Sequence, residues 1–581
     1  MTLKLTMVRT LTAAAAIAAV SNSLANSITG PSSSQSPYLV PARPGVATIS
    51  LFTVGDSVNF KPDGVTPYRM VGIPDGLGAF NHWDPLRFFD GDNGEKGDEH
   101  DRTFTVVMNH ELPVNVSAGG VATPVGTARA HGNAGAFVSM WTISKDTLEV
   151  LNVEDLIQDD TSLYLSDNDP SVGKPHSGYL SGGTTAIGRL CSGDLAPITA
   201  YAWFDWRTRT FYGTLARIYQ SGEEQGGVAT SISGGGNLGP EGTVHYGRQW
   251  NWILTDDPLI PGDQSRTGFE MPHCGLFAWE NNLANPYPQR LTITAGMDDG
   301  NPIGQLYFWV GEKQTTGNVV ERAGLTRQSA NDNLWVVKVP SLTTVDTNGV
   351  PLEDRSVPVS GPKGTSATFQ LLKSGVDGDA SGLTFAALEA DSDSKGATQF
   401  LRPEDGQWDP NNPRDYYFVT TDRYDQVKDG IGTQIARSRL YRLRFTDLRN
   451  PALGGMITCL LDGTEAGNMF DNMTITRHGS IFLQEDVGNQ QHNSKVWRYS
   501  IKRGTLELVA KHDPARFGDL GVAATAPFNQ DEESSGIISL DHILGPGWLL
   551  CDVQTHYNPG DPELVEGGQL VLMYFPPGQE K

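Results

Sequence analysis

The sequence predicts an all-β fold: a β-propeller of about six blades with large insertions between blades. Three observations point there. Helical periodicity is scarce beyond the N-terminal segment. The chain holds 66 glycines and 35 prolines in 581 residues, which suits turn-rich β structure and not long helices. One unit also recurs: a short β-rich run ending in acidic or polar residues, then a Gly-rich or polar gap, then a second strand. Units that each bury their faces on a neighbour suggest a propeller.

The units follow in order. Thr103 to Glu111 precedes Gly135 to Ile143. Phe211 to Tyr219 leads into Gly222-Glu223-Glu224, with Gly275 to Glu280 later. Leu291 to Met297 ends in Asp298-Asp299 and precedes Gln305 to Val310. Tyr416 to Asp422 precedes Arg439 to Phe445, Ser480 to Asp486 precedes Lys495 to Ile501, and Trp548 to Val553 precedes Gln569 to Phe575. Thr147 to Val150 follows Trp141, and Thr505 to Leu508 follows Trp497, as equivalent strands of two blades. Blades usually take about 40–50 residues, so insertions are needed; Gly226 to Gly247 and Gly349 to Gly382 are the expected ones. Residues 26–581 read as one propeller domain, the alternative being two β domains divided near Pro340 to Gly382.

Residues 1–25 read as a secretory signal. Lys4 and Arg9 give the positive start, Leu11 to Val20 the short apolar run, and Ser23-Leu24-Ala25 the small residues of a cleavage site. The expected location is therefore periplasmic or extracellular. No later stretch reaches about 18 apolar residues, so membrane insertion is not expected. The formal net charge is −24, and loss of Lys4 and Arg9 takes it to −26. Such a field repels nucleic acid, leaving small molecules as partners of a monomer. Export permits disulfides among Cys191, Cys274, Cys459 and Cys551 in three full pairings, while the lack of any CxxC argues against a zinc ribbon.

The strand-end acids carry the functional reading. In a propeller one strand of each blade lines the channel, so acids at equivalent strand ends converge from distant parts of the chain. Such a cluster is unstable unless protons or cations neutralise it, and calcium takes six to eight oxygens. The plainer reading is that each acid starts a solvated turn.

Gly72 to Gly78, Met108-Asn109-His110-Glu111, Leu190-Cys191-Ser192, Gly222-Glu223-Glu224, Trp279-Glu280-Asn281, Leu401 to Gly406, Met469 to Asn472 and Leu483 to Asp486 occur in an order that resembles the PhoX alkaline-phosphatase family. The resemblance implies a six-bladed exported propeller that hydrolyses phosphomonoesters at a cluster of Ca2+ and Fe3+. Carried over residue by residue, it implies Glu111, Glu280 and Glu404 as carboxylate ligands, Cys191 as an iron thiolate and Arg402 as the holder of phosphate oxygens. Glu224, Asp471, Asn472, Glu485 and Asp486 follow as further calcium ligands, and Arg402, Glu404 and Cys191 as the catalytic set. A soft thiolate suits iron, carboxylates bridge hard cations, and Arg offers phosphate a planar fork. The chain departs from the family where Leu190 stands just before the cysteine with Arg189 one earlier, where Gly193 to Ile198 replaces a tight Gly-Gly-Thr-Pro segment, and in lacking a twin-arginine leader.

Two rival readings stand beside this one: a non-catalytic calcium-stabilised binding propeller, and another propeller hydrolase such as a phytase or lactonase. Glu532-Glu533-Ser534-Ser535-Gly536 either closes the ring from the last blade or faces water. Asp90 to Glu95 lacks the fifth and sixth positions of an EF-hand loop and reads as solvated. His110 and His556 are candidate acids or ligands. Trp141, Tyr441 and Trp497 read as core.

Overall fold

The computed structural model describes residues 26–81, 102–166, 179–181, 185–233, 243–300, 303–345, 349–353, 364–422, 438–488 and 490–579. The expected signal segment and the Asp90 to Glu95 loop lie outside them.

Six blades of mainly antiparallel strands stand around one axis. Their inner strands are Pro74–Asn81, Leu190–Leu195, Trp279–Ala284, Pro403–Trp408, Phe470–Ile475 and Glu532–Ser539. Each inner strand touches the next, and the last touches the first, so the ring closes. The first blade continues through Thr103–His110, Phe137–Ser144 and Val150–Asp155. In the sixth blade Gly567–Tyr574 pairs with Ala47–Thr53, which in turn pairs in parallel with Asn26–Thr29. N-terminal strands thus complete a blade whose other strands come from the C-terminus. Ser366–Lys373 pairs on one side with Asn333–Lys338 and on the other with Gly455–Leu461, joining the third and fourth blades into a nine-stranded sheet.

The recurrent unit seen in the sequence is mostly the second and third strand of a blade. Gly275 to Glu280 is the exception, because Trp279 and Glu280 open the third blade instead of closing the second. The inner strands escape a reading by β-propensity: their openings are short and polar, and many of their residues are Asp, Asn, Ser or Gly. The core lies between blades. Trp141, Trp250, Trp252, Trp279 and Trp309 are each at most 1% exposed, and Tyr441 and Trp497 are buried as expected. Burying such a side chain contributes about 1.5–3 kcal/mol, so interlocked blade faces are the main source of cohesion.

All six inner strands open with the same irregularity. In each, two residues oppose one on the second strand: Asp75-Gly76, Cys191-Ser192, Glu280-Asn281, Glu404-Asp405, Asp471-Asn472 and Ser535-Gly536. A bulge of this kind bends the strand and re-aims a side chain. In three blades the preceding non-glycine residue is left-handed: Ile73 at φ 50°, Arg402 at φ 53° and Met469 at φ 46°. Such conformations persist only where surrounding structure holds them.

Gly76 sits where the first and second blades are closest. A methyl there would lie 2.4 Å from the Gly193 nitrogen and 2.6 Å from Asn109 Nδ2. Gly76→Ala is expected to lower stability by about 1–3 kcal/mol through overpacking, measured by denaturant unfolding. An unchanged midpoint would show that the two blades have slack at this contact.

Candidate metal centre

The six bulges face the same end of the channel, and so do the residues that follow the second strands. Glu111, Glu224, Asp299 and Asp486 come just after His110, Glu223, Asp298 and Glu485. Thr421 and Gln554 hold the corresponding places in the fourth and sixth blades. These positions bring together four overlapping groups whose ligand atoms lie within 4.8 Å of one another: Asp75–Glu111–Cys191, Cys191–Glu224–Glu280, Glu280–Glu404–Asp471 and Asp471–Asp486–Glu533. Cys191, Glu280 and Asp471 are each shared by two groups, so nine ionisable side chains form one continuous arc.

Three cationic side chains meet this arc. Arg189 bonds Glu111 through Nε, and its Nη1 lies 2.9 Å from Glu224 Oε2. Arg402 clamps Asp299 at 3.0 Å with both Nε and Nη2, and Nη2 lies 3.1 Å from Glu404. His556 hydrogen-bonds Glu566 at 2.6 Å and pairs with Glu533 at 3.6 Å; burial lowers its pKa, but the two carboxylates outweigh that and raise it well above the ordinary imidazole value. Gln554 donates to Glu111 at 2.7 Å and to Asp75 at 3.1 Å. The Thr421 hydroxyl lies 2.7 Å from Glu404.

One layer away, polar side chains cross between blades. Asn472 Nδ2 reaches Ser192 Oγ at 2.9 Å, tying the fifth blade to the second across the axis. Asn281 Nδ2 bridges Asp405 and Asp194, and the Met473 amide donates to Asp405 at 2.7 Å. Asn109 Nδ2 donates to the Cys191 carbonyl at 2.6 Å. This layer is the polar floor of the arc, and Arg189 is 42% exposed at its side chain.

The electrostatics of the arc are those of crowded like charges. Burial, and next the charge of neighbouring carboxylates, raise Asp75, Glu280 and Asp471 well above the ordinary carboxylate range. Burial raises Glu404 too, with Arg402 opposing. Glu224 is pushed up to about 8 by burial, with Arg189 opposing, and Asp486 to about 7 by burial and Glu533. The Cys191 thiol is raised by burial and by Asp75, whose Oδ2 it meets at 3.3 Å. Glu533 runs the other way: burial pushes it up, but the nearby His556 and the hydrogen bond from the Ser535 hydroxyl bring it below the usual value.

Of the expected ligands, Glu111, Cys191, Glu224, Glu280, Glu404, Asp471 and Asp486 all fall in the arc, and Arg402 stands beside it. Glu485 does not belong to the four groups. Glu485 points into the fifth blade, where it accepts from Trp497 Nε1 at 2.7 Å and from the Asn468 amide at 2.8 Å. Asn472 lies in the floor. His110 is also internal to its blade, stacked on Phe137 and 2.9 Å from Ser139 Oγ. Asp75 was not expected as a ligand, and Glu533 was left open between ring and solvent. Asp75 had a signal in the bulge motif, an acid, Cys or Ser followed within two residues by Gly or Asn, once per blade; in the sixth blade that motif falls on Ser535, and Glu533 stands two residues before it. All four cysteines are buried and none is paired.

Fold and site together define a six-bladed propeller with an acidic, thiol-bearing cluster at one mouth of the channel. No family model and no curated protein matches the chain. Among solved structures the chain is similar to Pseudomonas fluorescens PhoX in complex with vanadate, a transition state analogue, with a TM-score of 0.53 and 12% identity over 91% of this chain and 94% of that one. At that identity the likeness shows the fold alone. No helix among the described residues is long and apolar enough to cross a membrane.

A carboxyl with a raised folded pKa is protonated in the native chain but ionises near pH 4 when unfolded. Its contribution to stability is whole below that value and is lost as pH rises through the folded one. Without metal, the melting temperature is therefore expected to fall between about pH 5 and pH 8, spanning the values near 7 and 8 for Asp486 and Glu224. Excess calcium should flatten that slope, since cations replace protons as the neutralising charge. Calorimetry with and without chelator checks this; a metal-free melt independent of pH counts against it.

Proposed function

We propose that this protein is an exported metal-dependent phosphatase that hydrolyses phosphomonoesters at a calcium and iron cluster in the propeller mouth. The observation that carries the reading is the arc itself: eight carboxylates and one thiol in four overlapping groups, all buried except the half-buried Glu224 and Asp486. The donor set fits such a cluster. Glu280 Oε1 and Asn472 Oδ1 are buried without a hydrogen-bond partner, many oxygens suit calcium, and the single sulfur suits iron. The shared fold with the vanadate-bound PhoX supports the substrate class.

Metals held there would supply positive charge for the transferring phosphoryl group and activate an attacking water. The chain itself would do the rest. Glu111, Glu224, Glu280, Glu404, Asp471 and Asp486, with Asp75, Glu533 and Cys191, would hold the ions. Arg402 and Arg189 stand beside the arc, where their planar forks can orient phosphoryl oxygens. Thr421 and Gln554 fix the rotamers of Glu404, Asp75 and Glu111.

One observation favours the non-catalytic reading. Arg402 is already clamped by Asp299 and Arg189 by Glu111 and Glu224, so both guanidiniums help neutralise the arc. A phosphate ester must then compete with those carboxylates, and bound metal is what would release the forks.

The test is release of p-nitrophenol from its phosphate ester by protein loaded with calcium and iron. Glu404→Gln is expected to lower kcat by about 10²–10³, the scale of losing one charge-stabilising group, and Cys191→Ser to remove iron while leaving calcium. No release by the loaded protein, or full activity in both variants, overturns the assignment.

A further inference from the structure

The sixth blade departs from the others one layer below the arc. Opposite the bulge, where the first five blades carry Asn109, Gly222, Met297, Val419 and Gln484, the sixth carries Asp552. Asp552 is fully buried, and neither carboxylate oxygen has a hydrogen-bond partner. The Gly536 amide is close enough to oppose the effect of burial on this carboxyl but makes no hydrogen bond of proper geometry. Asp552 belongs to none of the four groups of the arc.

Two further oxygens belong to residues that border it. A methyl on Gly536 would lie 3.0 Å from Leu77 Cγ, 3.1 Å from Asp552 Oδ2 and 3.1 Å from the main-chain oxygen of Asp75, so both oxygens border this glycine at close quarters beside one apolar carbon. Asp75 is itself a bulge residue, outside the ladder register. Gln554 lies two residues beyond Asp552 on one strand, hence on the same face. Its Nε2 is engaged by Asp75 and Glu111, while its Oε1 is buried and without a partner.

We propose that the Asp552 carboxylate, the main-chain oxygen of Asp75 and Gln554 Oε1 form a further calcium site beneath the arc. The donors are oxygen only, which selects a hard cation over a transition metal. A carboxylate can bind calcium through both oxygens, and neutral carbonyl and amide oxygens commonly complete the shell. A buried carboxylate with no donor is otherwise stable only as the neutral acid. Asp75 serves both levels, its side chain in the thiol-bearing group and its carbonyl here, so an ion at Asp552 fixes the corner of the arc that holds Cys191. This site does not depend on whether the upper cluster hydrolyses phosphate.

The neutral-acid alternative makes the opposite prediction for one variant. Asp552→Asn keeps the shape and removes the charge. For a calcium site, protein purified without chelator should carry about one calcium fewer per chain, and the calcium-induced rise in melting temperature at pH 8 should shrink. An unchanged calcium count, with equal or higher stability in chelator, means a neutral acid and overturns the proposal. Should Asp552→Asn not fold, Gly536→Ala decides: its methyl narrows the space between the two oxygens and should weaken one calcium about tenfold or more in a calorimetric titration. Unchanged calcium binding in Gly536→Ala also overturns the site. Both readouts count ions, so they stay informative even if no phosphatase activity is found.

Discussion

Like-charge repulsion among buried carboxylates governs this structure. Eight acids and a thiol from all six blades meet at one end of a channel, where low polarisability makes each charge felt by the others. Such an assembly exists as a mixture of protonated groups and ion pairs, or around bound cations. Arg189, Arg402 and His556 neutralise part of it. The remainder is what a metal cluster would neutralise.

The pseudo-sixfold fold explains how so many acids can meet. A bulge at the head of each inner strand turns one side chain toward the axis, and the end of each second strand supplies another. The sequence varies what each blade presents: Asp75, Cys191, Glu280, Glu404, Asp471 and Ser535 at the first set, with Thr421 and Gln554 as the uncharged members of the second. These uncharged positions hold neighbouring acids in place through hydrogen bonds instead of adding to the repulsion. The glycines of the second bulge position, Gly76 and Gly536, let the blades approach and leave room for the polar floor.

The strand-end acids were legible because they end hydrophobic, β-branched or aromatic runs with strong periodicity. Glu111, Glu224 and Asp486 could be picked from such runs. Glu280 also ends a run counted among the repeats, although it heads an inner strand; Glu404 and Asp471 sit at the heads of polar inner strands, and only the ordered resemblance of short segments brought them in. Asp75 lay within one of those segments yet drew no attention, since Pro-Asp-Gly reads as a turn. Glu485 shows the converse: it adjoins Asp486, and strand alternation sends the two to opposite faces, so one acid meets the channel and the other a tryptophan.

The amino-acid sequence alone determined that the chain is built of β units, that these units repeat about six times, and that acids recur at their ends, because periodicity and turn chemistry are local properties. Only the tertiary structure decided which acids become neighbours, how the inner strands are bulged, which arginines pair with those acids and where Asp552 is left without a partner. Those are matters of ring closure. Residues from Asp75 to Gln554 share one pocket because each blade packs on the next, and no local pattern encodes distances across the axis.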